Sequence, residues 1–181
     1  QAGALTSAQL AAISDGIFAE METADIAVLT TSALRGLTSA QAAVLTTGQL
    51  GQVSATQLAA IGTGAIAGLT TDSIAALSTT QSAALTTGQV AALSSAQVGA
   101  LTTDEVAALT TAQVAAFSTS GLAGLTSDAL VALTTDHTAA LTSAEIGAIA
   151  VGVLAEMETA DLAAVTTTAL AGLTTDQVAG L

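Results

Sequence analysis

Two short acidic segments and one histidine are the places where this sequence could do chemistry. The segment AEMETAD runs from Ala19 to Asp25 and returns from Ala155 to Asp161. It gathers Glu20, Glu22 and Asp25 in the first copy, and Glu156, Glu158 and Asp161 in the second. Clustered carboxylate oxygens suit Ca²⁺, so these six residues are the weak candidates for a calcium site or a contact between subunits. The alternative is structural: Glu22 and Glu158 as helix N-caps, Asp25 and Asp161 closing a capping box, and Glu20 and Glu156 in solvent. The spacing of a known calcium loop is absent, so no metal or other cofactor is assigned beyond that weak candidacy.

His137 stands beside Asp136 among many hydroxyls, which invites comparison with a catalytic triad. Such catalysis needs a base, an orienting acid and a nucleophile converging in a pocket. A variant capping position on a repeat surface explains His137 more simply. No catalytic residue is assigned, and the chain is not expected to be an enzyme. Paired Thr and Ser residues recur along the whole length and could order water or hold a repetitive ligand; helix capping accounts for one of each pair. Arg35, the only Lys or Arg, reads as a surface substitution or a contact to an acidic neighbour.

All these residues belong to one repeating frame. Leu85 to Ala92 reads LTTGQVAA, Leu93 to Ala100 LSSAQVGA, Leu101 to Ala108 LTTDEVAA and Leu109 to Ala116 LTTAQVAA. With positions a to h and Leu at a, the frame runs from Leu5 to Leu181 without insertion or deletion, about 22 octads. Position b is nearly always Thr or Ser, and e is most often Gln, sometimes Glu or Asp, the spacing of a capping box. Positions a and f, which fall at N′ and N4 of a helix begun at b, are apolar as a hydrophobic staple requires. Ala42, Ser82 and Thr138 are the exceptions at f. Asp72, Asp104, Asp128, Asp136 and Asp176 occupy d, in the first turn, where the helix dipole favours negative charge.

Each octad therefore predicts one helix start with about one and a half turns behind it. A single long helix fails, because eight residues overshoot two turns by about 80° and the a ladder would wander around the cylinder. Strands fail, because a and f lie on opposite faces of a period-two element. Disorder fails, because about half the residues are hydrophobic, 51%. Such short helices need stacking to persist. The expected fold is all-α, a tight α-solenoid of very short helices cored by a and f, with Ala and Gly at g and h letting backbones approach. Two octads per coil is the first expectation; three or four also fit.

No composition shift, proline hinge or charged linker divides residues 1–181, so one repeat array is expected. Cys, Asn, Pro, Trp, Tyr and Lys are absent. Lack of Asn removes N-glycosylation sequons and leaves O-glycosylation open. A formal charge of −13 disfavours nucleic acid and anionic membranes as partners. The longest apolar run, Ile146 to Ala155, is half the ~20 residues a membrane-crossing helix needs, so no membrane insertion is expected. The start, QAGALTSAQL, has no basic n-region and reads as a mature end after signal cleavage or the edge of a fragment. The two AEMETAD copies, beginning at Ala19 and Ala155, lie 17 octads apart, and TTSALRGLT from Thr30 resembles TTTALAGLT from Thr166. Neither end looks like a polar cap, as in a window on a longer repetitive protein or a subunit abutting its copies.

The pattern L-[TS]-[TS]-x-[QE]-[VIL]-A-A resembles low-complexity octad tracts of large bacterial surface or adhesin-like proteins. The resemblance covers the whole chain, is compositional, and implies a cell-surface or extracellular location without an activity. The expected function is structural: an extracellular filament, sheath or adhesin stalk made by self-association of stacked octads. The alternative is a binding module that uses its Thr/Ser or acidic face for ice, glycan or calcium. An acidic decoy of nucleic acid fits less well, since the charges are sparse and sit at helix starts. The irregular octads read as drift rather than design.

Overall fold

The computed structural model describes residues 2–181 and is helical throughout; Gln1, included in the expected array, lies outside the described residues. After a short 3₁₀ turn at Ala2–Ala4 come 22 α-helices of four to six residues among the described residues, one in each octad. No strand occurs among them. Every helix starts at c, and b is its N-cap in extended conformation, as at Thr86 (φ −73°, ψ 156°) before Thr87–Ala91.

The predicted box is present where b is Thr or Ser and e is long enough to reach back. In the octad of Leu85, Gln89 N–H donates to Thr86 Oγ1 at 3.2 Å and Thr86 N–H donates to Gln89 Oε1 at 2.7 Å. The reciprocal pair satisfies two donors that a helix start otherwise leaves open. Where e is short, as at Ala33, Ser73, Gly121, Ala129 and Ala169, only the hydroxyl half of the box remains.

Positions a and f build the core. Leu85, Leu93, Leu101 and Leu109 at a, with Val90, Val98, Val106 and Val114 at f, are all buried. Two exceptions at f are hydroxyls that stay buried by bonding their own helix: Ser82 Oγ donates to Ser78 O at 3.1 Å and Thr138 Oγ1 to Thr135 O at 3.0 Å. Positions b, c and d face solvent in nearly every octad. Position g is mostly exposed as well, yet a Cβ built on Gly99 or Gly147, both at g, would fall 2.8 or 2.7 Å from the carbonyl oxygen of Gly124 or Gly172, so g and h both serve close backbone approach.

The chain coils more widely than two octads. Each helix packs on the helix three octads away: Thr79–Ala84 lies between Ala55–Ala60 and Thr103–Ala108. Side-chain bonds between coils join positions 28 and 31 apart in the chain. They reach from e to a of the third octad before it and to f of the fourth. One coil is therefore about three and a half octads. The half octad staggers successive coils, so the end of one helix sits over the middle of another. The expectation of two octads per coil is replaced by this geometry. Two octads would put helices a whole number of repeats apart, and the e side chain would then face the neighbouring helix's side rather than its C-terminal carbonyls.

The stagger pairs position h with position c of the coil below. A Cβ built on Gly36, Gly68, Gly124 or Gly172, all at h, would fall 2.1, 2.4, 1.9 or 1.9 Å from the carbonyl oxygen of Ser7, Ser39, Ser95 or Ser143. Glycine is required there because two backbones touch. Where c is Thr, the h residue of the third octad after it is Ala in most cases, as with Thr63 and Ala92 or Thr103 and Ala132. The small partners thus come in matched sets in most octads, Ser under Gly and Thr under Ala, with Ser127 under Glu156 and Thr23 under Gln52 as exceptions.

Candidate functional site

The residues that do the most connecting are the glutamines at e, and they are buried. Gln41, Gln49, Gln81, Gln89, Gln97, Gln113 and Gln177 are sealed from solvent, with Gln57 half-buried. Each Gln has one oxygen to accept and two N–H groups to donate. The oxygen closes the box of its own helix. The amide nitrogen crosses to the coil below: Gln89 Nε2 donates to Leu58 O and to Ile61 O, both at 2.8 Å. The same pair of bonds recurs from Gln41 to Leu10 O and Ile13 O, from Gln81 to Leu50 O and Val53 O, and from Gln113 to Ser82 O and Leu85 O.

The acceptors are a carbonyl near the end of one short helix and the carbonyl of the a residue that starts the next octad. Short helices have a high share of such end carbonyls, and burying them unpartnered is costly. One glutamine side chain therefore caps a helix start in its own coil and completes a helix end in another. The capping role is legible from the spacing; the bridge is not, since Gln and Glu both close a box and only stacking creates a use for the donors.

His137 is a variant of the same device. Thr134 N–H donates to Nδ1 at 3.3 Å, and Nε2 lies 2.8 Å from Leu109 O. These partners fix the neutral tautomer with the proton on Nε2. Asp136 is exposed at d and takes no part in these bonds, so the two residues are not brought together as a catalytic pair. No pocket forms among the described residues.

The acidic segments occupy cap positions, with one correction. Glu22 and Glu158 are the N-caps of Thr23–Ala27 and Thr159–Ala164, as the frame requires, yet neither side chain makes a capping bond. Asp25 and Asp161 do not complete a box either: Asp has one methylene fewer than Glu and does not span to the b amide. Asp161 is buried; burial, and then the charge of Glu158, raise its pKa above the ordinary aspartate value. Glu20 and Glu156 are exposed at h. Among the described residues no three His, Asp or Glu side chains converge where they could hold a metal ion. Arg35, the C-cap of Thr31–Leu34, is exposed. Among the described residues no helix is long and apolar enough to cross a membrane.

A family model described as the ALTTAQ repeat matches residues 18–55, 54–87, 83–111, 106–143 and 154–181. Each match is about one coil long or slightly more, and together they cover most of the chain. The stretch between the last two includes Ala150, which is the N-cap of the helix Val151–Leu154 and makes no side-chain capping bond. A comparison with curated proteins finds no match.

Proposed function

The chain belongs to the ALTTAQ-repeat family, and from that premise we propose that it is a structural element, a stretch of extracellular filament, sheath or adhesin stalk. The observation that carries this reading is the recurrence of the seam. Eight glutamines from Gln41 to Gln177 each donate to the a carbonyl 28 residues before them, and His137 reaches the a carbonyl at the same distance, while Gly121, Ala129, Val153 and Ala169 are among the e residues that make no such bridge. Such a stack has no geometric reason to stop, which suits an extended rod.

The surface is mostly Thr, Ser, Ala and carboxylate with a single Arg, which leaves trypsin-like proteases one cleavage site. Such a surface suits an exposed extracellular position.

The half-octad stagger weighs against the binding-module alternative. It sets small h residues against the backbone of the c residues in the adjoining coil, so the coils meet there backbone to backbone rather than through a ladder of hydroxyls. Electron microscopy of the purified chain at near-neutral pH tests the proposal. Uniform fibres, or rods that lengthen with concentration, are expected. Discrete short particles at every concentration would overturn self-association.

A further inference from the structure

We propose that Glu105 binds a proton in the folded array and uses it to bridge two coils, making its octad a pH-sensitive joint in the seam. Glu105 occupies e of the octad LTTDEVAA and is 1% exposed. Its Oε2 accepts from Thr102 N–H at 2.6 Å and Thr102 Oγ1 at 2.7 Å, the same role as a glutamine oxygen. Its Oε1 is buried and has no hydrogen-bond partner. In the flanking octads that place belongs to an amide nitrogen: Gln97 Nε2 donates to Ile66 O and Leu69 O, and Gln113 Nε2 to Ser82 O and Leu85 O.

One octad on from Ile66 and Leu69, the carbonyls facing Glu105 are those of Ile74 and Leu77. An ionised oxygen there meets acceptors only, which is repulsive in a dry seam. A proton on Oε1 turns it into a donor and restores one of the two lost bridges. At the neighbouring amides the same seam closes to 2.7–3.0 Å, a spacing that one shared hydrogen spans.

The surroundings offer no cation to hold the charge. Asp104, on the same helix Thr103–Ala108, is exposed and negative. Of the helices packed against it, Thr79–Ala84 has no titratable group and Ser127–Val131 has only the exposed Asp128. Thr71–Ala75, which supplies the Ile74 carbonyl, has only the exposed Asp72. Burial is the main cause that raises the Glu105 pKa, opposed in part by the Thr102 bonds. The folded chain then holds this proton more tightly than the unfolded chain. Its contribution is complete below the ordinary glutamate range and is lost as pH rises through the raised value.

The test compares thermal unfolding of the full chain with Glu105→Gln and Glu105→Ala from about pH 4 to about pH 8. Ala is tolerated at e, as Ala33 and Ala129 show, and both variants retain thirteen of the fourteen carboxylates, so general charge effects cancel between them, while Asp104→Asn, which removes an exposed neighbouring carboxylate, gives the general charge effect to be subtracted from the wild-type gap. The wild type should melt near E105Q at the acid end and fall several degrees below it at the alkaline end, while E105Q and E105A stay a constant interval apart. A wild-type gap to E105Q that is the same at both ends, or wider in acid, would overturn the proposal. A carboxyl ¹³C titration of Glu105 gives a second reading: a midpoint above the ordinary glutamate value supports the proton site, and one at or below it contradicts it.

Discussion

A glutamine that caps one helix and completes another has two separable costs when it is lost. Gln89→Ala removes the oxygen from Thr86 N–H and both donors from Leu58 O and Ile61 O. Buried groups left unpaired cost about 1–3 kcal/mol, so denaturant unfolding should report a loss of roughly that size. Gln9 is exposed, with bonds only inside its own octad, and Gln9→Ala should cost about 0.5–1 kcal/mol as a cap alone. Equal losses at the two sites would mean that the bridge contributes nothing. His137→Gln should be neutral or stabilising, since the imidazole reaches Leu109 O and the amide would reach a second carbonyl as well. Asp161→Asn should stabilise at neutral pH, because burial raises the Asp161 pKa and its ionised form loses stability as pH rises. A thermal scan in which D161N melts lower at neutral pH would contradict that.

At the scale of the element, the sequence is most transparent where the interaction is local. Thr86 and Gln89 three apart, Leu85 and Val90 five apart, and the absence of any strand pattern are enough to specify a capped, stapled short helix. The coil is not legible in the same way, because its partners lie more than three octads apart and every octad offers the same candidates. One trace of it is in the sequence all the same. Gly36, Gly68, Gly124 and Gly172 close the third octad after that of Ser7, Ser39, Ser95 and Ser143, where most other octads pair Thr with Ala. The pairing is intelligible only once the backbones are seen to touch. It gives a sharp contrast in mutagenesis. Gly124→Ala drives a methyl into the Ser95 backbone and should cost about 1–3 kcal/mol. Gly48→Ala, inside Thr47–Leu50 with its nearest neighbour at 4.0 Å, should gain up to about 1 kcal/mol from helix propensity. The acidic segments depart from their expected role for a simple steric reason: Asp25 and Asp161 hold the box position without the reach.

Across the whole molecule, stability accumulates from near-identical interfaces rather than from one centre. Removing whole octads from either end should lower the melting temperature in small steps, while a one-residue insertion at Gly88 should break the seam on both sides. The coil of three and a half octads, on which every bridge depends, can be tested by distance. The described chain has no cysteine, so two can be introduced cleanly for spin labels. One pair is Thr87 and Ala115, both exposed and three and a half octads apart; the other is Thr87 and Thr103, both exposed and two octads apart. Electron–electron distances should be shorter for Thr87 and Ala115, which sit on adjoining coils, than for Thr87 and Thr103, which span the coil. The reverse order would mean a coil of two octads and would contradict this fold.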